Sequence, residues 1–274
     1  MARTPEWQRR FDGFDFSDFA QEFLRRNPDY RTQFVRFDRG NTGTTHPSPQ
    51  GEVRVRGASN FLADPALGAD VCPAFWRPEH NPSVILVALS TACRKEFETA
   101  LHARTILAEA KTEAGRHMVL AGRRARHRLL MMHSTKHDGY FVPGDRSLPI
   151  RLAALGAFHD PRGRQTSGSP AALKPTAYQR RRLALLLAIL DRLEQPSCEP
   201  ATVRQITRDL LLPRIDYERA IEWKTSSHRR QAQRLIAEAR RMMATGYRDL
   251  LKGSMRPALS SEPSDDRGTG DRLR

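Results

Sequence analysis

Apolar residues recur at helical spacing in three consecutive stretches of the C-terminal third of the chain. Over residues 176–195, Leu183, Leu186, Leu187, Leu190 and Leu193 repeat at intervals of three and four, and Pro196 closes the run. Over residues 201–212, Val203, Ile206, Leu210 and Leu211 do the same ahead of Pro213. A third helix is predicted over 221–243, "IEWKTSSHRRQAQRLIAEARRMM", with Ser226 or Thr225 as its cap. A last helical turn in "TGYRDLLKG" ends at Gly253, and the polar, Pro/Ser/Asp-rich residues 254–274 are predicted to be disordered.

Upstream the pattern is more mixed. Residues 18–26 read as a helix capped by Ser17 and stopped by Asn27-Pro28, with Phe19, Phe23 and Leu24 on one face. A second short helix after Pro28 takes in Tyr30, Phe34 and Val35; the aromatics of this block are expected in the core. Residues 38–55 read as loop, and residues 63–82 as irregular chain anchored by Phe75 and Trp76. "SVILVAL" (83–89) is a continuous apolar, β-branched run suited to a buried strand. Residues 95–110 read as a helix. Strands are predicted at 117–122, 126–132 and 139–144, joined as an antiparallel meander. Residues 148–159 read as a helix with Leu152, Leu155 and Phe158 inward.

The predicted fold class is therefore α+β. It has a helical N-terminal segment, a small antiparallel sheet in the middle, a three-helix domain of variant helix-turn-helix type, and a disordered tail. The expected divisions are residues 10–80, 81–160, a linker at 161–175, 176–253, and the tail.

Charge changes this picture most. A formal net charge of +15 at pH 7 on 274 residues points to a polyanionic partner. The longest apolar stretch, "LALLLAIL", is less than half of the roughly 20 residues that a bilayer span needs. No apolar segment follows the basic N-terminus, so a cytoplasmic, nucleoid-associated location without membrane contact is expected. Cys72, Cys93 and Cys198 form no CxxC pair, which argues against a disulfide framework or a zinc site.

The third helix carries much of the basic character. At about 100° per residue with Arg230 at zero, Arg234 falls near 40° and Arg241 near 20°, while Ala232, Leu235, Ile236, Ala239 and Met243 lie opposite. Ala237, between the arginines, permits close approach. Ser227, His228, Arg229, Arg230 and Gln231 can all donate hydrogen bonds at the start of the helix. Arg230, Gln231 and Arg234 are candidates for base edges, since arginine pairs bidentately with guanine and glutamine with adenine. Lys224, His228, Arg229 and Arg241 are candidates for phosphate, and Thr225, Ser226 and Ser227 surround the N–H groups at the helix start. Trp223 is expected to plug the core beside that start. The connector "PRIDYERAIEWKT" is longer than the three or four residues of a usual helix-turn-helix.

These residues also carry a resemblance. "LPIRLAAL", "RRRLALLLAILDRLE" and "EWKTSSHRRQAQRLIAEARRMMATGYRDLLKG" resemble the DNA-binding domain of RovC-like transcriptional regulators. Its W-K-[ST]-S start stands here as Trp223-Lys224-Thr225-Ser226, and its end as Gly246-Tyr247-Arg248-Asp249-Leu250-Leu251. "FAQEFLRRNPDYR" and "DPALGADVCPAFWRP" are similar to the transcriptional-regulator-like domain that often precedes it. The resemblance implies an activator that binds double-stranded DNA, oligomerises with itself and helps recruit RNA polymerase, near secretion or mobile-element genes. Solitary copies of the C-terminal domain act as antiactivators; this chain has both parts. The long Ser/Gly/Pro connector and the charged stretch at 95–110 depart from the pattern, which bears on domain spacing and oligomer geometry.

Catalytic and cofactor readings find little support. His127, His133 and His137 fit no common zinc spacing, and no Walker-type loop or GxGxxG is present. No cofactor and no enzymatic activity are expected. Two other readings share the basic helix: a protein-docking module or antiactivator, and an architectural protein that bends DNA.

Overall fold

The computed structural model describes residues 6–40, 64–112, 114–122, 125–133, 137–160, 173–195, 201–211 and 220–255. Three N-terminal helices, α1 (Glu6–Arg9), α2 (Phe16–Leu24) and α3 (Pro28–Gly40), lead to strand β1 (Val84–Ala88) and helix α4 (Thr91–His102). Strands β2 (Ile106–Thr112), β3 (Gly115–Leu120), β4 (His127–Met132) and β5 (Gly139–Phe141) follow, then helix α5 (Leu148–His159). The C-terminal part holds α6 (Ala177–Glu194), α7 (Val203–Ile206) with a wide π turn (Thr207–Leu211), α8 (Ala220–Thr225), and α9 (Ser227–Arg241). Past α9, a second π turn (Met242–Gly246) leads into α10 (Tyr247–Leu251). The expected mixture of helices with one sheet is what the chain forms.

The sheet order is β2-β3-β4-β1-β5. Only β2, β3 and β4 make an antiparallel meander; β1 lies parallel to β4, and β5 pairs antiparallel with β1. The all-antiparallel expectation is corrected because β1, buried on both faces, takes an inner position between β4 and β5. Gly115 turns the β2–β3 hairpin at φ +138, where an added Cβ would strike the Met131 carbonyl.

Other boundaries move for local reasons. Asp15, not Ser17, caps α2: its carboxylate accepts the Asp18 N–H at 3.0 Å, and the Asp18 carboxylate accepts the Asp15 N–H at 3.1 Å. Ser17 is instead buried and accepts from the Asn81 amide. α3 continues to Gly40, into the predicted loop. Ser90 caps α4, which ends at His102; residues 106–110 form a strand whose side chains alternate in exposure. On α5 the inward residues are Arg151, Ala153, Ala154 and Phe158, whereas Leu152 is 48% exposed. The predicted linker core at 161–172, the prolines at 196 and 213, and the tail from 256 onward lie outside the described residues.

The sheet divides two apolar clusters. On one side Ile85, Val87, Leu129 and Met131 pack with Leu101, Ala154 and Phe158. On the other, Val84, Leu86 and Leu130 join a larger cluster of Phe11, Phe14, Phe16, Phe19, Phe23 and Trp76 with the leucines of α6 and with Leu235, Ile236, Tyr247 and Leu250. The N-terminal aromatics are thus core residues, and they share that core with the C-terminal helices. Every residue of α2 is buried. Arg26, past its end, pairs with Asp191 of α6 at 2.6 Å and with Glu22 at 2.7 Å.

Two buried histidines give the fold an acid limit. Burial holds His117 at about 4. Burial, with Arg104 and Arg128 adding to it, holds His127 at about 4. Both values lie below the ordinary 6.5, so the unfolded chain takes up protons first. Their stabilisation is complete above about pH 6.5 and is lost as pH falls toward 4, by up to about 3 kcal/mol each. Asp18 acts oppositely: burial and the Asp15 carboxylate raise it to about 7, so its contribution fades as pH climbs from about 4 to 7. The wild type is therefore expected to lose stability on acidification from pH 6.5 to 4.5. A His117→Asn/His127→Asn double variant should reverse that slope, leaving Asp18 in control. Urea titrations across this range check it; an unchanged slope refutes the assignment.

Candidate nucleic-acid interface

The candidate surface is built around one break in the chain. At Ser226 the backbone turns extended between α8 and α9 (φ −65, ψ 145). The Ser226 N–H and hydroxyl both donate to the Trp223 carbonyl, at 3.2 and 2.9 Å, closing α8. The same hydroxyl accepts the Arg229 N–H at 3.1 Å, opening α9. Arg229 reaches back to donate to the Lys224 carbonyl at 3.1 Å. Residues Ala220–Thr225, read from sequence as connector and the start of one long helix, thus form a separate short helix. Trp223 is half-buried.

From there α9 follows the wheel. Ala232, Leu235, Ile236 and Ala239 are buried against α6 and α7. Arg230, Gln231 and Arg234 are exposed, as are Lys224, Thr225 and Ser227. Ser226, His228 and Arg229 are half-buried at the helix start. No acidic residue stands in the first turn, so nothing there offsets the positive end of the helix dipole. Arg234 keeps a long 3.4 Å bond to the Arg230 carbonyl. Nine of the ten sequence candidates therefore lie between Lys224 and Arg234, six of them exposed and three half-buried.

Arg241 differs from the others. It is half-buried, its Nε is buried with no hydrogen-bond partner, and its Nη2 lies 3.6 Å from the Met242 sulfur. The π turn explains this. Gly246 sits so close that a Cβ there would meet the Met242 sulfur at 2.6 Å and the Arg241 guanidinium at 3.2 Å. Two exposed residues, Gln233 and Arg240, complete the polar face. They flank the row at about −60° and −80° on the same wheel, a position the sequence already gave them.

The rest of the molecule braces this helix. Thr202 caps α7, and Ile206 packs into the shared core. The Asn27 amide donates to the Met243 carbonyl at 3.3 Å, so the N-terminal segment meets a backbone group of the second π turn. α10, continuing past that turn, packs on α2.

Among the described residues, no group of three or more His, Cys, Asp or Glu side chains is placed to hold a metal ion. His127, the first residue of β4, is buried edge-on to Phe158, while His133, just past the opposite end of that strand, is exposed. No helix among the described residues is long and apolar enough to cross a membrane.

An arginine-lined helix, buried on its opposite side and without an acidic residue in its first turn, has the charge and exposure that a polyanionic ligand requires. Residues 141–252 match the family model described as "T6SS, Transcription factor, DNA binding domain", the RovC DNA-binding domain, and residues 2–54 match the proteobacterial transcriptional regulator-like domain. The chain thus carries a proteobacterial transcriptional regulator-like domain followed by a RovC DNA-binding domain. No curated protein and no solved structure matches it.

Proposed function

We propose that this protein is a sequence-specific activator of transcription, with α7 and α9 acting as a variant helix-turn-helix and α9 entering the major groove. The observation that carries this reading is the exposed set Arg230, Gln231 and Arg234 on a helix whose opposite side is buried. Arg230, Arg234 and Gln231 take base edges; Lys224, His228, Arg229 and the flanking hydroxyls of Thr225, Ser226 and Ser227 take phosphates, with Arg241 at the far end. The presence of both domains supports activation over the antiactivator role. RNA polymerase and a second copy of the chain are the expected protein partners, and genes for secretion or mobile-element transfer the expected targets. No cofactor and no catalysis are required. The chain would work in the cytoplasm on the nucleoid.

The test is a titration against the chain's own upstream region and a scrambled duplex of equal length, at 150 mM salt. Affinity for the upstream region should exceed that for the scramble by about 10³-fold or more. Equal affinity for both duplexes sinks sequence-specific recognition. Polymerase capture that survives nuclease, with no shift of any duplex at low salt, would establish the docking module instead. A reporter that is unmoved by a protein bending its site would mark an architectural role.

A further inference from the structure

Glu238 is the one carboxylate among the cations of α9. It lies one turn beyond Arg234, about 40° further round the helix. Left unpaired, a carboxylate there would do one of two things. It would reach the guanidinium one turn away, or it would face the phosphate backbone and repel it.

The structure gives it a different partner. Arg182 of α6 forks onto Glu238, with Nε donating to Oε1 at 3.1 Å and Nη2 donating to Oε2. The planar fork fixes orientation as well as distance. The Arg182 side chain is 36% exposed and that of Glu238 20%, so the pair sits at the rim of the α6–α9 contact. Arg234 is meanwhile exposed and keeps only its long bond to the Arg230 carbonyl as an identified contact.

We propose that Arg182 is a positioning residue for DNA recognition: it draws Glu238 toward α6, sets the rotation of α9, and leaves the Arg234 guanidinium available to DNA. The proposal rests on the DNA-binding reading above. Its signature is an epistasis that plain structural support does not produce. Removing Arg182 frees a carboxylate that captures Arg234; removing the carboxylate as well restores Arg234 to DNA.

The experiment titrates the full chain and its Arg182→Ala, Glu238→Gln and Arg182→Ala/Glu238→Gln variants against the upstream duplex and the scramble. Arg182→Ala should bind the upstream duplex about tenfold more weakly, with the scramble little changed, as one base-directed guanidinium is withdrawn. Glu238→Gln should stay within about threefold of wild type, and the double variant should recover to about the same level with its discrimination restored. Thermal melts run alongside; Arg182→Met, which keeps an aliphatic stem but offers Glu238 no donor, replaces the alanine variant if that one melts early. A double variant as weak as Arg182→Ala overturns the proposal, because Arg182 is then a structural brace or itself a DNA contact. Arg182→Ala binding like wild type overturns it too while the DNA-binding reading stands. A wild type that binds no duplex overturns both.

Discussion

Replacing Arg128 with methionine is expected to destabilise the protein by about 3–5 kcal/mol, the largest single-residue effect in the molecule. Arg128 lies on β4 and is buried. Its Nη1 donates to Asp15 Oδ2 at 2.7 Å, and its Nη2 donates to Asp18 Oδ1 at 2.8 Å and Asp15 Oδ1 at 3.2 Å. Arg126 adds a bond to Asp18 Oδ1 at 3.0 Å and one to the Ala69 carbonyl. Two guanidinium groups thus meet two carboxyl groups between α2 and the sheet. Burial alone would raise Asp15, but the charge and hydrogen bonds of Arg128 hold it below the usual carboxylate range. Without Arg128, two buried carboxylates share one half-buried arginine. The variant should therefore gain stability as pH falls and those carboxylates take up protons, opposite to the wild type below pH 6.5. Adding Asp15→Asn and Asp18→Asn should recover much of the loss, because neutral amides need no countercharge and retain acceptors for the cap of α2. Calorimetry at pH 5 and 7.5 reads all three proteins. A melting temperature for Arg128→Met within about 3 °C of wild type at pH 7.5 would refute the assignment, since a loss of this size should move it by roughly 6–20 °C.

The same cluster shows what the sequence could and could not disclose. The helix of residues 176–195 was legible because its signal is local, a leucine repeat closed by a proline; the extent of the helix at 148–159 was legible too, but Leu152, read as inward, is exposed. The cap of α9 was narrowed to Ser226 or Thr225 by local signals as well, and Ser226 takes the role, while the separate helix before it was not legible. Asp15 and Ser17 both suit a helix cap, and only the distant arginines Arg126 and Arg128 decide between them. Residues 106–110, "ILAEA", hold the helix formers leucine, alanine and glutamate, yet their pairing with β3 prevails. The insertion of β1 between β4 and β5 is a long-range choice that periodicity does not encode. On the candidate interface, the wheel predicted exposure well up to Arg234 and less well at Arg241, where the π turn departs from 100° per residue. Arg182, distant in sequence from α9, has no local signal tying it to Glu238.

The second large effect is on recognition. An Arg230→Ala/Arg234→Ala double variant is expected to lose about 2–6 kcal/mol of discrimination between the upstream duplex and the scramble, taking each bidentate base contact as about 1–3 kcal/mol. Both side chains are exposed and neither is in an ion pair among the described residues, so the fold should not suffer; Leu235 and Ile236, on the opposite side, stay buried. Melting temperature should therefore change by about 2 °C or less. Phosphate contacts behave differently. Lys224→Ala should weaken the upstream duplex and the scramble alike and lower the salt slope by about one, leaving discrimination intact. The contrast separates reading from holding: specificity falls with Arg230 and Arg234, affinity with Lys224. Competition titrations against a panel of single-base changes would show it base by base, because relaxed preference at one or two positions is what loss of a base contact predicts. If the double variant discriminates as well as wild type, the arginine row holds the backbone only. The bases are then read elsewhere, with Gln231 and Gln233 the next side chains on the exposed face to substitute.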